Sequence, residues 1–329
     1  VKPLRIIVMG TGPFAVPMFA ALLRAGHEIV AVVTRPDHAP PGRRPAPNPM
    51  RQAAAEAGLP VLDPERVNDP ESVARLAALR PDLFVVCDYG QILSASLLAV
   101  PPLGGINLHG SLLPRHRGAA PIQWAILEGD AETGVSVIHM TPALDAGNVI
   151  AVRPVGIGAR ETAAAIEPRL AEVGAESVIE GIERLQAAWA CGSVAGVGVP
   201  QDAARATRAP RLAKSDGIVD WTWPAERIER LRRAVEPWPR ATTFFRRGEG
   251  QTQRLVLEDV EVVPAESLAG EAGVVAPGTV LSANDERIVV ACGADTALAI
   301  LRLVPEGRRS MSAAEFLRGS PLRTGVRLG

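Results

Sequence analysis

The stretch Gly104–Trp124, GGINLHGSLLPRHRGAAPIQW, most constrains the fold of this chain. Leu103–His109 reads as a buried strand bounded by glycines. Gly110–Arg117 is rich in Gly, Pro and Arg and continues neither a strand nor a helix. Pro121–Gly129 has helical composition and stops at a glycine. The order is strand, irregular loop, helix, and in an open α/β sheet ligands bind just beyond the carboxyl ends of the strands.

Strand side chains alternate with period two, so Asn107 and His109 point to one face and Leu108 to the other. An amide donor beside a titratable imidazole suits chemistry at a carbonyl. The amide can donate to a developing oxyanion, and the imidazole can move a proton near neutral pH. On the N-x-H pattern alone, a polar strand end with a satisfied histidine is the plainer reading.

The flanking sequence is of α/β type. Leu4–Met9 and Ile29–Val33 read as strands around a helix at Phe14–Ala25, and Asp82–Cys87 as a central strand. Val135–Met140 and Val149–Pro154 follow, joined by a loop that holds Asp145, and Glu161–Trp189 is mostly helical. Gly10–Ala15, GTGPFA, fits the dinucleotide pattern G-x-G-x-x-A. NAD would need an acidic residue at the end of the second strand, where Thr34 and Arg35 stand instead. An NADP-dependent oxidoreductase stays open as an alternative, beside glycines that serve only a tight turn. Arg35–Met50 holds six prolines in sixteen residues and cannot be regular structure. Its adjacent Arg43 and Arg44 read either as solvated charge or as an arm that meets phosphates.

Gly192–Lys214 lacks periodicity and reads as a linker. Beyond it come a helix at Ala225–Val235 and five short strand-like runs, which suggest an OB-type β-barrel. Arg227–Arg247 holds seven arginines against two glutamates. This local excess favours contact with an RNA backbone over a merely solvated face. The net charge of the chain is −1, which by itself does not mark a nucleic-acid binder. The three cysteines, Cys87, Cys191 and Cys292, are scattered, as expected in a reducing compartment, and no run is long enough to span a membrane. A cytoplasmic protein is expected. There is no H-E-x-x-H and no close carboxylate cluster, so no metal is expected.

Ser111–Ile126, SLLPRHRGAAPIQWAI, resembles the signature S-L-L-P-x-x-R-G-x-x-P of the 10-formyltetrahydrofolate-dependent formyltransferases. All its fixed positions are present, Asn107 and His109 precede it as in that family, and Asp145 matches the aspartate of a D-x-G segment. The resemblance implies a Rossmann-like formyltransferase domain over residues 1–205 and an OB-like, tRNA-binding C-terminal domain over 206–329. It implies 10-formyltetrahydrofolate as formyl donor and an aminoacylated initiator tRNA as acceptor. Asn107, His109 and Asp145 are then the catalytic residues, with Asp145 orienting the imidazole. Ser111, Leu112, Leu113, Pro114 and Arg117 shape the folate site, and Arg43 and Arg44 belong to a basic loop that meets RNA. Asp220-Trp221, Pro237-Trp238-Pro239 and Met311-Ser312 resemble landmarks of the C-terminal domain in the tRNA-directed branch. Nothing demands more than a monomer. A formyltransferase acting on an amino-sugar nucleotide is the alternative within the family. Two departures stand out: Gly12-Pro13 replaces Pro-x in the first turn, and Asp88 replaces a small apolar residue in the loop that helps form the pterin pocket.

Overall fold

The structure is a computed structural model that describes residues 2–37, 48–192, 194, 196–247, 251–264, 275–320 and 322–329. Arg43 and Arg44 lie outside the described residues. The chain forms two compact units. One consists of Val1–Ile122, Ala131–Ile157 and Ala165–Arg211; the other of Gln123–Asp130, Gly158–Ala164 and Leu212–Gly329.

The first unit is built on seven strands: β1 (Arg5–Gly10), β2 (Glu28–Val33), β3 (Val61–Leu62), β4 (Leu83–Cys87), β5 (Gly105–His109), β7 (Glu132–His139) and β8 (Val149–Gly156). A short β6 (Arg117–Gly118) stands apart from that sheet. The sheet order is β3-β2-β1-β4-β5-β7-β8. The first five strands are parallel, and β7 and β8 join antiparallel. Continuous apolar runs such as Leu83–Cys87, buried at every position, are what a strand covered on both faces requires. Helices α1 (Val16–Arg24), α2 (Pro49–Glu56), α3 (Pro70–Ala78), α4 (Ala95–Leu98) and α6 (Ala163–Ala190) follow the strands, while most of α5 (Pro121–Glu128) belongs to the second unit. One core layer holds Ile7, Met9, Phe84, Val86, Tyr89 and Leu97, all buried.

Two features of this sheet position the site. The chain winds one way from β1 to β3 and then returns to β4, so a topological switch point lies between β1 and β4. In addition, Leu108 packs toward Gly174 of α6, where an added Cβ would lie 2.8 Å from the leucine side chain. Alternation then turns Asn107 and His109 to the opposite face, the one shared with Val86 across the β4–β5 register.

The stretch expected to be a structureless linker contributes to the first unit. Its β9 (Arg208–Ala209) pairs in parallel with β6, Arg117 against Arg208 and Gly118 against Ala209. Two residues of strand carry no periodic pattern, so composition could not reveal them.

The second unit has an antiparallel sheet in the order β10 (Thr242–Arg247), β11 (Gln251–Val263), β14 (Ala297–Pro305), β13 (Ile288–Ala291), β12 (Val280–Ala283). A short β15 (Met311–Ser312) pairs with β14 and leads into α8 (Ala313–Gly319). The last residues join the two sheet edges. Leu328 bridges Phe245 of β10, and Arg327 bridges Thr279 beside β12. The Gly329 N–H donates to Phe244 O at 2.9 Å, and Leu328 N–H to Gly278 O at 2.8 Å. A sheet whose edges meet through a shared strand is a small barrel, the architecture expected from the five short runs. Closure also removes two unpaired edges.

Helix α7 (Ala225–Ala234) packs on β11 and β14. Its arginines are engaged by protein groups. Arg227 lies over the Trp223 ring at 4.7 Å and 3.6 Å from Glu128. Arg230 donates to Leu127 O at 3.1 Å, and Arg232 to Glu258 O at 2.7 Å. Arg233 is buried, forked onto Glu229 at 2.7 and 3.0 Å, and donates to Glu161 O at 3.1 Å. These contacts tie α7 to neighbouring segments of the second unit. Nearby, a groove of about 310 Å³ is lined by Arg308, Arg309 and Arg318 with Glu315 and Phe316.

Leu328 is 2% exposed and joins both edges of the barrel. Leu328→Ala is expected to destabilise the second unit by about 2–5 kcal/mol, the range for a buried leucine. Thermal unfolding checks this, and an unchanged transition would show that the buried Leu328 side chain adds nothing to the stability of the second unit.

Candidate active site

Asn107 and His109 end β5, and the irregular loop that follows folds back over them. The fold-back is fixed by side-chain caps on backbone groups, because a loop without periodic hydrogen bonds must satisfy its polar groups one by one. Ser111 is fully buried and donates to Arg115 O at 2.7 Å. Ser136 of β7 donates to Ser111 O at 2.7 Å and accepts from the Leu113 N–H at 3.1 Å. The His116 N–H donates to Thr207 Oγ1 at 2.8 Å, and the Arg117 N–H to Thr207 O at 2.9 Å. His116 has φ +59°, a left-handed conformation that a non-glycine residue holds only when its surroundings fix it.

The result is a defined tautomer for His109. Its ring is 6% exposed, and Nε2 lies 2.9 Å from the His116 carbonyl oxygen. A carbonyl only accepts, so Nε2 carries a proton and donates. Nδ1 is therefore the nitrogen left to gain or lose a proton. It faces Asp145 Oδ2 at 3.8 Å, with the Asp145 side chain 12% exposed. The same Asp145 oxygen accepts the Gly118 N–H at 2.9 Å. Gly118 has φ +133°, and an added Cβ would lie 2.3 Å from Ala209 O. Only glycine can occupy this position and still direct its N–H at the aspartate.

The three residues expected to be catalytic thus converge: Asn107 and His109 through the strand, Asp145 through the loop between β7 and β8. The Asn107 amide is half-buried and, among the described residues, hydrogen-bonds no protein group. It is an open donor beside the imidazole. His139 is separate. Its Nε2 is hydrogen-bonded to Val197 O at 3.1 Å, and burial lowers its pKa.

Of the residues expected to shape the folate site, Leu112, Leu113 and Pro114 are half-buried in the fold-back loop. Ser111 and Arg117 make their hydrogen bonds within the protein. Arg117 Nε and Nη2 both donate to Gln201 Oε1, at 3.1 and 2.7 Å. Gln201 and Thr207 escaped the sequence reading because each stands alone in an aperiodic segment, with no pattern to mark it.

At the switch point the two departures from the family pattern explain each other. The Asp88 side chain packs down on the first turn, where the Gly12 N–H donates to its carboxylate. A Cβ at position 12 would lie 1.9 Å from Asp88 Oδ2. Gly12 and Asp88 are therefore one structural pair, and the carboxylate takes the place at the glycine turn where a dinucleotide phosphate would have to sit. This is the physical objection to the NADP reading. Burial raises the Asp88 carboxyl above its ordinary value, partly offset by Arg211 and by the Gly12 N–H. Burial and the charge of Asp88 likewise raise Glu167. Beneath them Cys87 is buried, and its thiol is pushed well up, so it is no nucleophile at neutral pH.

Gly12→Ala is expected to cost about 1 kcal/mol, because the carboxylate must leave the turn and lose a charge-assisted bond at a partly solvated site. In an Asp88→Ala background the same change should be close to neutral. Denaturant unfolding of the four variants measures the coupling, and strictly additive effects would contradict the pairing.

Comparison with known proteins gives the family. Residues 4–182 match the formyl transferase family and residues 211–321 the formyl transferase C-terminal domain. The chain is 43% identical to the methionyl-tRNA formyltransferase of Rhodopirellula baltica over 332 residues, covering 99% of this chain and 96% of the relative. It is 45% identical to that of Anaeromyxobacter sp. (strain K), covering 96% and 97%. Among solved structures, an N-formyltransferase from Helicobacter canadensis bound to folinic acid and dTDP-3-aminofucose shares the fold, with TM-score 0.61 and 13% identity over 90% of this chain and 98% of that one. HypX from Aquifex aeolicus in complex with tetrahydrofolic acid does so with TM-score 0.58 and 18% identity, over 96% of this chain and 47% of that one. A Rossmann-like catalytic domain and a C-terminal barrel, joined by near full-length identity above 40%, place this chain in the methionyl-tRNA formyltransferase family.

Proposed function

We propose that Asn107, His109 and Asp145 carry formyl transfer from 10-formyltetrahydrofolate to the α-amino group of methionine on initiator tRNA. The observation that carries this reading is a tautomer-fixed imidazole facing a carboxylate at the end of the strand that also carries Asn107, an amide with no partner among the described residues. The unpartnered Asn107 donor fits a bound formyl oxygen. The folate donor supplies an activated formyl group; the protein must stabilise charge and move protons around it.

Asn107 donates to the formyl oxygen as negative charge develops there. His109 Nδ1 and Asp145 Oδ2 face each other across 3.8 Å, and an N–H placed beside that gap can reach both. They take the proton that the attacking amine must lose and return one to the departing folate nitrogen. The His109 Nε2 bond to His116 O keeps the ring in the orientation that presents Nδ1. Leu112, Leu113 and Pro114 form walls of the donor site. Ser111 and Arg117 serve it by holding the loop that carries those walls.

The first unit performs the transfer and the second holds tRNA, a division that follows the expected domains 1–205 and 206–329. Arg308, Arg309 and Arg318 around the groove of the second unit are exposed and suit phosphates, with Arg309 also paired to Glu315 at 3.3 Å. Arg43 and Arg44 add phosphate contacts from the proline-rich segment. The enzyme acts as a cytoplasmic monomer. Among the described residues no helix is long and apolar enough to cross a membrane.

Asn107→Ala is expected to lower kcat for formyl transfer to charged initiator tRNA by roughly 100- to 1,000-fold, the cost of one oxyanion donor. Labelled 10-formyltetrahydrofolate measures it. Turnover at the parent rate would remove the oxyanion role, and label carried only to an amino-sugar nucleotide would overturn the acceptor.

A further inference from the structure

Asp145 has φ +49°, and its conformation needs a cause. Left-handed backbone at a non-glycine residue costs free energy and persists only where neighbours over-determine it. Among the described residues the carboxylate accepts one hydrogen bond, from the Gly118 N–H. The backbone is held by Gln201, whose Nε2 donates to Asp145 O at 2.8 Å and to Gly147 O at 2.7 Å. On its other side Gln201 Oε1 accepts Nε and Nη2 of Arg117.

Every polar position of the Gln201 amide is therefore used: two bonds accepted and two donated. The chemistry also fixes which way the amide points. A guanidinium only donates and a carbonyl only accepts, so the oxygen must face Arg117 and the nitrogen must face the 145–147 turn. No other residue type supplies both a double acceptor and a double donor on so short a stem, apart from asparagine, which is one methylene shorter. Glutamate would keep Arg117 and turn a second oxygen on two carbonyls.

We infer that Gln201 is a positioning residue for the transfer reaction. It clamps the Asp145 turn to Arg117 of the fold-back loop and so sets the aspartate opposite His109. The inference rests on the catalytic reading of Asp145. Arg117 then has a role at the site different from a direct folate contact: it is the anchor of this clamp.

The test is a cycle of Gln201→Ala and Asp145→Ala, with Gln201→Glu as a separate variant, assayed by steady-state formyl transfer to charged initiator tRNA. Gln201→Ala is expected to lower kcat roughly 10- to 100-fold, the size of effect that an ångström-scale misplacement produces. KM for tRNA and for the folate donor should hold within about twofold, since only an interaction of the transition state is lost. Once Asp145 is alanine, removing Gln201 should cost little more. Gln201→Glu should still fold through its Arg117 pair, with a lower thermal midpoint because both bonds to the 145–147 turn are lost, and still lose kcat. This variant keeps the test open if Gln201→Ala fails to fold. Parent kcat in Gln201→Glu, or losses that multiply in the double variant, would overturn the clamp while leaving Asp145 catalytic. Parent kcat in Asp145→Ala would instead remove the Asp145 reading, and the clamp with it.

Discussion

The hydrogen bond from His109 Nε2 to the His116 carbonyl is the contact on which the site depends. It decides which imidazole nitrogen is available, and it exists only because the loop between the two histidines folds back on its own strand. That loop has no repeating backbone pattern to stabilise it. Ser111, Ser136 and Thr207 each satisfy specific backbone groups. A buried group left unsatisfied here would cost about 1–3 kcal/mol, so the loop has little freedom to adopt another shape. The proline, glycine and arginine content that rules out regular structure is what lets the loop take this one.

The larger elements were legible in the sequence for a simple reason. A parallel strand buried on both faces is a continuous apolar run, and an amphipathic helix has a period. β1, β2, β4 and β5, with the long helix α6, appear close to where those patterns put them. Asn107 and His109 were also legible, because alternation along one strand is a local property. Asp145 was reached through its match to a family segment, not from spacing, and its position relative to His109 is a matter of tertiary structure.

What the sequence hid was long-range. Gln201 stands 56 residues from Asp145 and 84 from Arg117, and it joins them. The return of Arg327 and Leu328 to close the barrel involves two residues with no pattern of their own. Charge density is silent on partners for a related reason. Composition counts arginines but not their partners, and α7 arginines pack on an aromatic ring or onto carboxylates and carbonyls. Gly12 and Asp88, two separate departures when read along the chain, become one feature when the β1 and β4 ends meet.

The central claim is that His109 presents Nδ1 to the reaction because Nε2 is committed to a carbonyl. Nitrogen-15 NMR of the imidazole in the folded enzyme tests it directly. In the neutral ring, the account predicts a protonated Nε2 that is hydrogen-bonded and slow to exchange, with Nδ1 bare. A neutral ring protonated at Nδ1 would contradict it, since the nitrogen beside Asp145 would then be the donor and Nε2 could not hold the His116 carbonyl.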